Sequence, residues 1–359
     1  ILKSPDDFLA EIQPKFQSQV DAVRSKFQTV VDSVKSGVGD NPLAIAEQLY
    51  NFLIDSYRIV HLSPTQYRFY PVQLSTKLNA GVLSLLDVNF CYYQMLKIAG
   101  LNPSLLLTRT EDDGYLPPDL FNPKLFNSPI VKITLADTAH YVYLLSSDYP
   151  FGLIPTGFKG KPFINIFDGN TGKLPEQTND EYFRKRIMEG TFISPDTMKL
   201  KITLQGDNQA IPGMRGLCKL PDEKLKNSFT VTLSKSFSSS QLDSFSISGC
   251  RGDSIPTVMM FATIYHPLIS GGFTGNGEKK LWAFPLPGVP EPGNYAGAKK
   301  RKNPIFWDQS QMYKIHLEFR FPQGLKPVGI PEEVRYSEGA YSYSFSTVYN
   351  QDENLLTVN

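Results

Sequence analysis

The hydrophobic period of this chain changes from that of helices to that of strands about 100 residues from its start. Before that point apolar residues recur at steps of four and three, as one face of a helix requires. These residues are Phe16, Val20, Val23, Phe27, Val30 and Val34. After it, short segments rich in apolar residues indicate strands at 104–108, 130–135 and 140–145. This order predicts an α+β protein with a helical N-terminal lead.

Cap signals mark the predicted helices. Ser4 stands before Pro5, and Asn41 stands before Pro42, which are arrangements typical of helix starts. A third helical segment covers 82–99 and is followed by Gly100, a residue common just past a helix end.

From about residue 190 onward the sequence predicts strands and no helices. The segments 198–204, 229–233 and 245–247 alternate, and 258–265 is almost continuously apolar. We therefore expect antiparallel, β-sandwich-like structure after the first domain. The predicted divisions are listed here: 1–185 for the helical lead and first domain with its core at 78–170, 186–300 for a β domain, and 301–359 for C-terminal strands of that domain or of a second one.

The balance of charge argues against several classes of function. The 359 residues include 36 Lys and Arg against 35 Asp and Glu, a formal net charge of +1, whereas nucleic-acid binders normally have a broad basic face. No run of 18 apolar residues predicts a membrane-spanning helix. The four histidines form no ligand pair, and no phosphate loop or dinucleotide fingerprint occurs, so we predict neither a metal nor a cofactor.

The three cysteines are Cys91, Cys218 and Cys250, and none belongs to a C-x-x-C pair. Cys218 and Cys250 lie in the strand-rich part and are able to form a disulfide in an oxidising compartment. Two free thiols are an equally good interpretation of the sequence.

A set of strings between residues 78 and 170 resembles a known domain. The strings are Gly81, 87–90, 95–101, 105–109, 126–131, 143–148 and the Pro-Phe-Gly-Leu-Ile-Pro run at 150–155. They resemble the core of bacterial transglutaminase-like domains, which belong to the papain-like cysteine-protease superfamily. The resemblance is to Gram-negative envelope proteins in which such a domain precedes a C-terminal β domain, and it implies a periplasmic or cell-surface location.

The family's catalytic residues are replaced in this chain. The resemblance implies a Cys at a helix N-terminus, a His on one strand and an Asp on the next. The matching positions hold Leu85, Ser128 and, depending on the alignment of one loop, Ser146 or Tyr143. A leucine offers no nucleophile. We therefore predict a non-catalytic module that binds a protein, peptide or glycan of the envelope in the remaining groove, with the loop 111–128 as one wall. A second hypothesis is purely architectural, with the β domains docking other envelope components.

An alternative places a relocated triad on Cys91, His140 and Asp148, which would make the chain a thiol-dependent hydrolase or acyl transferase. Cys91 lies four residues after Asp87, on nearly the same face of the predicted helix. A position within the helix loses the help that a helix N-terminus gives to a thiolate. Between Phe90 and Tyr92, Cys91 is also typical of a small buried hydrophobic residue.

Three further motifs have simple interpretations. The Arg-Gly-Asp string at 251–253 and the Asp-Gly-Asn string at 168–170 are typical of turns, and the second lacks the spaced acids of a calcium loop. The basic run 299–302 is typical of a solvated loop.

Overall fold

The structure is a computed structural model. It describes residues 4–60, 62, 69–109, 122, 125–135, 137–176, 182–252, 254–267, 269–274, 279–283, 312–338 and 341–359. The chain forms two compact units, the first comprising Ile1–Thr178 with Asp308–Ser310 and the second Asn179–Trp307 with Gln311–Asn359. Helices and several sheets are both present, so the predicted α+β class is confirmed.

Five helices and two short strands begin the first unit. The helices are α1 (Pro5–Gln17), α2 (Val20–Val38), α3 (Pro42–Ser56), α4 (Leu74–Ala80) and α5 (Leu85–Ile98). Strand β1 (Arg58–Val60) pairs in parallel with β2 (Val82–Ser84). The predicted helix starts after Ser4 and Asn41 are confirmed, because both side chains accept hydrogen bonds from backbone N–H groups of the first turn.

An antiparallel sheet of five strands completes the first unit. Its strands are β3 (Pro103–Thr108), β4 (Ser128–Leu135), β5 (Thr138–Val142), β6 (Pro162–Asn165) and β7 (Thr171–Lys173), in the order β5-β4-β3-β6-β7. The strands predicted at 104–108 and 130–135 are confirmed, and the one predicted at 140–145 ends at Val142.

The two faces of this sheet are covered by different clusters. Leu105 and Val131, which are paired, join the main core formed with the helices. Their neighbours Leu106 and Ile130, also paired, point to the other face because successive side chains of a strand alternate. There they pack with four further buried residues, and we call these six residues the small cluster. It consists of Leu106, Ile130, Tyr143, Ile154, Phe158 and Leu174.

The second unit is built on a sheet of seven strands. They are β8 (Tyr182–Ser194), β9 (Thr197–Asn208), β10 (Ser240–Ser248), β11 (Thr257–Tyr265), β14 (Met312–Arg320), β17 (Thr347–Asn350) and β18 (Leu355–Val358), in the order β10-β11-β9-β8-β14-β18-β17. Every neighbouring pair is antiparallel except β8 and β14. Two hairpins form separate two-stranded sheets, β12 (Ile269–Thr274) with β13 (Lys279–Ala283), and β15 (Val334–Glu338) with β16 (Tyr341–Phe345).

Two helices in the second unit correct the prediction that helices end near residue 190. They are α6 (Ile211–Leu217) and α7 (Asp222–Ser236). The strand predicted at 229–233 is wrong, because these residues form part of α7. The core of the second unit contains Leu225, Phe229 and Leu233 of α7 together with apolar residues of the sheet. Helix α7 therefore covers part of this face of the sheet, where a β-sandwich would have a second sheet.

The third helical segment also begins later than predicted. Residues 82–84 form β2, and α5 begins at Leu85 after the N-cap Ser84. Among the described residues, no helix combines the length and apolar character needed to cross a bilayer.

Candidate functional site

The N-terminal end of α5 is closed by a buried polar network. Asp87 is 1% exposed, and its Oδ2 accepts hydrogen bonds from the Ser84 hydroxyl at 2.6 Å and the Ser84 backbone N–H at 3.0 Å. The Asp87 backbone N–H donates in return to the Ser84 hydroxyl, which completes a capping box. Lys77 of α4 donates to the same Oδ2 at 2.7 Å. We call Lys77, Ser84 and Asp87 the Asp87 network.

Leu85 follows this network at the first helical position, where the resemblance places the family's cysteine. Its side chain is partly buried and packs against the small cluster. Tyr141, Leu145 and Phe163 are partly buried against the same cluster. We call Leu85 and these three side chains the Leu85 surface.

Tyr143 belongs to the small cluster itself. It is 6% exposed, and its ring makes an edge contact with Phe158, with centroids 4.9 Å apart. Burial raises the pKa of its phenol, and the nearby Tyr149 raises it further. Tyr143, which follows β5, therefore stays neutral at physiological pH, whereas the resemblance would place an ionised aspartate at this position.

The two serines at degenerate positions bond to their own neighbours in the chain. Ser128 begins β4, is 7% exposed, and donates to Asn127 Oδ1 at 2.9 Å. Ser146 lies after β5 and donates to Asp148 Oδ2 at 3.2 Å, while it accepts the Asp148 backbone N–H. The structure thus brings Leu85 and Tyr143 to one cluster, with Ser128 two residues before the cluster residue Ile130.

The surroundings of Cys91, His140 and Asp148 bear on the alternative triad. Cys91 is fully buried, and burial raises its pKa well above the usual value; Asp87 raises the pKa further, while Lys77 lowers it. His140 of β5 lies near Phe151, with ring centroids 6.5 Å apart. Asp148 hydrogen-bonds with Ser146. A buried thiol with a raised pKa is the reverse of an activated nucleophile.

Asn89 is a further polar residue of this region that the sequence did not single out. It is fully buried on α5, and its amide donates to the Leu85 carbonyl at 2.8 Å. Its Oδ1 accepts the Leu144 backbone N–H at 3.5 Å, which joins the helix to the segment after β5. Ser84 and Lys77, which both bond to Asp87, are likewise not among the predicted site residues. The spacing Ser84-x-x-Asp87 is a capping-box signal that identifies Ser84, whereas Lys77 is brought to Asp87 only by the fold.

Residues 168–170 form the turn of the β6–β7 hairpin, as predicted, with Gly169 at φ +72° and the Asn170 backbone N–H donating to Asp168 Oδ1 at 2.9 Å. The Gly252 carbonyl accepts a hydrogen bond from Arg215 of α6.

Some predicted features lie outside the described residues. These are Asp253, the basic run 299–302 and all of the loop 111–128 except 122 and 125–128. The part of the chain that the structure describes contains no group of three or more His, Cys, Asp or Glu side chains suited to hold a metal ion.

Comparison with known proteins gives a likeness of fold. No protein-family model matches the sequence, and no curated protein matches it. The chain is similar to the crystal structure of a "putative protease" from Parabacteroides distasonis, with a TM-score of 0.51 and 12% sequence identity. The likeness covers 99% of this chain and 50% of the other, so this chain spans about half the length of that protein. At this identity the likeness concerns the fold alone.

Proposed function

We propose that the first unit is a non-catalytic, transglutaminase-like module of the bacterial envelope that holds a peptide or glycan without cleaving it. The observation that carries this proposal is the start of α5. Where the resemblance places a reactive thiol, the chain has Leu85, and the polar groups beside it are already bonded to one another in the Asp87 network.

The electrostatics of the helix end support this proposal. The N-terminus of a helix carries a partial positive charge that stabilises an anion, which a cysteine hydrolase uses for its thiolate. In this chain the carboxylate of Asp87 lies at that end and bonds with Ser84, and Lys77 balances its charge. The anion that this helix end stabilises is therefore the buried carboxylate of Asp87, where a cysteine hydrolase would have a reactive thiolate.

The Leu85 surface is the proposed binding surface. Its four side chains are partly exposed and pack against the buried small cluster, so they offer apolar and aromatic contact area on a packed support. Aromatic faces suit both peptide side chains and sugar rings, which each present apolar surface. The module would hold its ligand there while lacking the groups needed to attack it.

Two observations support the wider setting of this proposal. The fold likeness to the Parabacteroides distasonis protein is in keeping with a protease-related scaffold. The disulfide between Cys218 and Cys250 favours an oxidising compartment, such as the periplasm or the cell surface.

Alkylation of Cys91 tests the absence of catalysis. We expect iodoacetamide at pH 7.5 to modify Cys91 in the native chain more slowly than in urea, by a factor on the order of 100, because the thiol is buried and its pKa is raised. Intact-mass spectra would follow the reaction. Rapid labelling of the native chain would contradict the proposal and favour the Cys91, His140 and Asp148 triad, whose activity protease and acyl-transfer assays would then examine.

Titration with soluble peptidoglycan fragments and with a mixed-sequence peptide pool tests binding. We expect heat on mixing with the native chain, and a loss of that heat in Tyr141→Ala, which removes an aromatic face from the Leu85 surface. Val231→Ala, at an exposed position of α7, is the matched control and should bind as the native chain does. No heat with either probe, or equal heat from Tyr141→Ala and the native chain, would overturn the binding proposal.

A further inference from the structure

A cleft in the second unit runs between α7 and β10. This cleft is open to solvent and has a volume of about 660 Å³, within the usual range of ligand sites. Its apolar lining includes Leu225 of α7 together with Leu242, Phe245 and Ile247 of β10. The disulfide between Cys218 and Cys250 also lines the cleft.

Strand β10 is the outermost strand on its side of the seven-stranded sheet. Among the described strands it pairs with β11 and with no other. In an antiparallel sheet, alternate residues of such an edge strand direct their N–H and C=O groups away from the one neighbour. An edge of this kind is a template for pairing with a further extended chain.

A bulge defines how much of the edge is regular. The register with β11 shifts between Leu242 and Ser244, so Asp243 is the extra residue, and pairing is continuous from Ser244 to Ser248. Five residues of strand span about 17 Å. The serines of this stretch are exposed, whereas its two apolar residues are partly buried. The exposed serines are Ser244, Ser246 and Ser248, and the apolar residues are Phe245 and Ile247. The regular stretch therefore has small side chains on its open face and apolar ones on the face of the α7 core, where they pack.

The charges around the cleft favour a basic ligand. The ionisable residues that line it are Asp222, Glu223 and Asp243, against Lys226. Asp243 also forms an ion pair with Lys199 at 3.1 Å. Asp222 and Glu223 lie exposed in the first turn of α7, at the rim of the cleft. An excess of acid beside an apolar lining is complementary to a segment that carries both apolar and basic side chains.

We propose that this cleft binds an extended polypeptide segment that adds to the sheet as a strand beside β10 and carries apolar and basic side chains on its cleft-facing side. Its backbone would pair with residues 244–248. Every second side chain of the added strand would face α7, so apolar residues at these positions would enter the cleft and basic residues at these positions would approach Asp222 and Glu223 at its rim. Addition of a strand to an exposed sheet edge, with a neighbouring pocket for alternate side chains, is a recurring mode of peptide recognition. The site uses no residue of the first unit and is independent of the function proposed there.

The end of the cleft is fixed before any ligand binds. Cys250 follows β10 by two residues and is bonded to Cys218, the C-terminal cap of α6. Between the strand and Cys250, Gly249 has φ +73°, and a Cβ atom there would meet the Ile255 carbonyl oxygen. A glycine and a disulfide thus hold the end of the edge strand in place. Such preorganisation lowers the ordering cost of binding.

Fluorescence anisotropy with a fluorescein-labelled heptapeptide, Thr-Lys-Thr-Val-Thr-Lys-Thr, tests the proposal on the full oxidised chain. We call it the Val-Lys peptide, and its two lysines and its valine share one face of a strand. We expect saturable binding, weakened about tenfold in Glu223→Lys, because the substitution replaces attraction by repulsion at the rim. Asp352→Lys makes the same kind of change at an exposed turn outside the cleft and should leave the affinity unchanged. Thermal melts of both variants would confirm that they fold.

Two methylated peptides test strand addition itself. One carries N-methyl groups on the odd-numbered backbone nitrogens and the other on the even-numbered ones, with identical side chains. An added strand directs only every second N–H toward β10, so we expect one peptide to lose binding about tenfold more than the other. Equal loss from both peptides, equal affinity for the Val-Glu analogue of the same pattern, or no binding of the Val-Lys peptide at millimolar concentration would each overturn the proposal.

Discussion

Asp87 and Asp7 close capping boxes of the same type in opposite surroundings. Asp7 reaches back to the exposed Ser4 at the start of α1, with its carboxylate 3.4 Å from the Ser4 N–H. Asp87 makes the same contact at 3.0 Å, is buried, and adds the Lys77 ion pair. The cost of removing a carboxylate depends on what happens to its donors, since buried donors cannot turn to water.

We therefore expect Asp87→Ala to lower the free energy of unfolding by about 3 kcal/mol, because it leaves buried donors unsatisfied and removes the partner of Lys77. Asp7→Ala is the matched control and should cost much less, since its donors are exposed to water. Urea denaturation of both variants measures the difference. Equal losses would show that burial of the Asp87 network adds nothing to the cap.

The environment of His316 on β14 should make the free energy of unfolding depend on pH. Its Nδ1 lies 2.6 Å from Asn359 Oδ1 and its Nε2 lies 3.0 Å from Glu318 Oε1. The hydrogen bond to Asn359, and then Glu318, raise the pKa of His316, against the opposing effects of burial and Lys185. A folded-state pKa above the unfolded value stabilises the protein fully below the unfolded pKa, and this stabilisation is lost as pH rises through the folded pKa.

We accordingly expect His316→Gln to destabilise the chain more at pH 5.5 than at pH 8.5, as measured by urea denaturation at the two values. Glu318→Gln keeps the histidine and removes a charged acceptor, so the pH dependence should shrink in that variant. A larger effect of His316→Gln at pH 8.5 would contradict the direction of the pKa shift.

At the residue scale, the sequence points to some residues of the candidate site, and their role stays a prediction. The motifs of the resemblance point to Leu85 and Tyr143; in the fold Tyr143 belongs to the small cluster and Leu85 packs against it. Lys77 was missed because its pairing with Asp87 depends on how α4 meets α5, which no local pattern specifies. Burial of Cys91 was expected from its apolar neighbours, but the contribution of Asp87 to its raised pKa required the coordinates.

Helix α7 shows why an alternating pattern can mislead at the level of the element. The segment Phe229-Thr-Val-Thr-Leu233 alternates, yet Phe229 and Leu233 are also four residues apart, as on one face of a helix. Leu225 continues that step of four and is buried with them, whereas Val231 is 55% exposed. Locally, the two β-branched threonines and the valine favour a strand. The segment is a helix because that conformation lets Leu225, Phe229 and Leu233 pack together in the core.

Substitutions in α7 test this assignment. We expect Val231→Ala to stabilise the chain by roughly 0.5 kcal/mol, because alanine has the higher helix propensity at an exposed site. In a strand the same substitution would be destabilising. Leu233→Ala should cost about 2–5 kcal/mol because it leaves a cavity in the core. Chemical denaturation measures both, and a loss of stability in Val231→Ala would argue against the helix.

Element boundaries were set by contacts distant in sequence. The predicted helix at 82–99 included 82–84, but these residues pair with β1, more than 20 positions earlier. The apolar stripe from Phe16 to Val34 predicts one helix, but the structure has two. The helical hydrogen-bond pattern of α1 breaks at Gln19, whose backbone N–H donates to the carbonyl of Phe16, three residues earlier, before α2 begins. The stripe does mark buried helix faces, since Phe16 of α1 and Phe27 of α2 both lie in the main core.

At the scale of the whole molecule, the two units have separate hydrophobic cores, and the disulfide belongs to one of them. Cys218 and Cys250 are 32 positions apart, which by itself does not tell whether two thiols meet in space. For a closed loop of this length, chain entropy gives a stabilisation of roughly 3–4 kcal/mol. The stabilisation should therefore be confined to the second unit.

Reduction of the disulfide is thus expected to lower protection against hydrogen exchange in the core of the second unit, including β10 and α7, and to leave the first unit unchanged. Exchange followed by mass spectrometry, with and without reductant, measures each unit in one experiment. A double variant, Cys218→Ser with Cys250→Ser, should resemble the reduced chain and be insensitive to reductant. Because the same bridge lines the α7–β10 cleft, the Val-Lys peptide should also bind the reduced chain more weakly. Protection lost equally from both units would mean that their stabilities are coupled despite their separate cores.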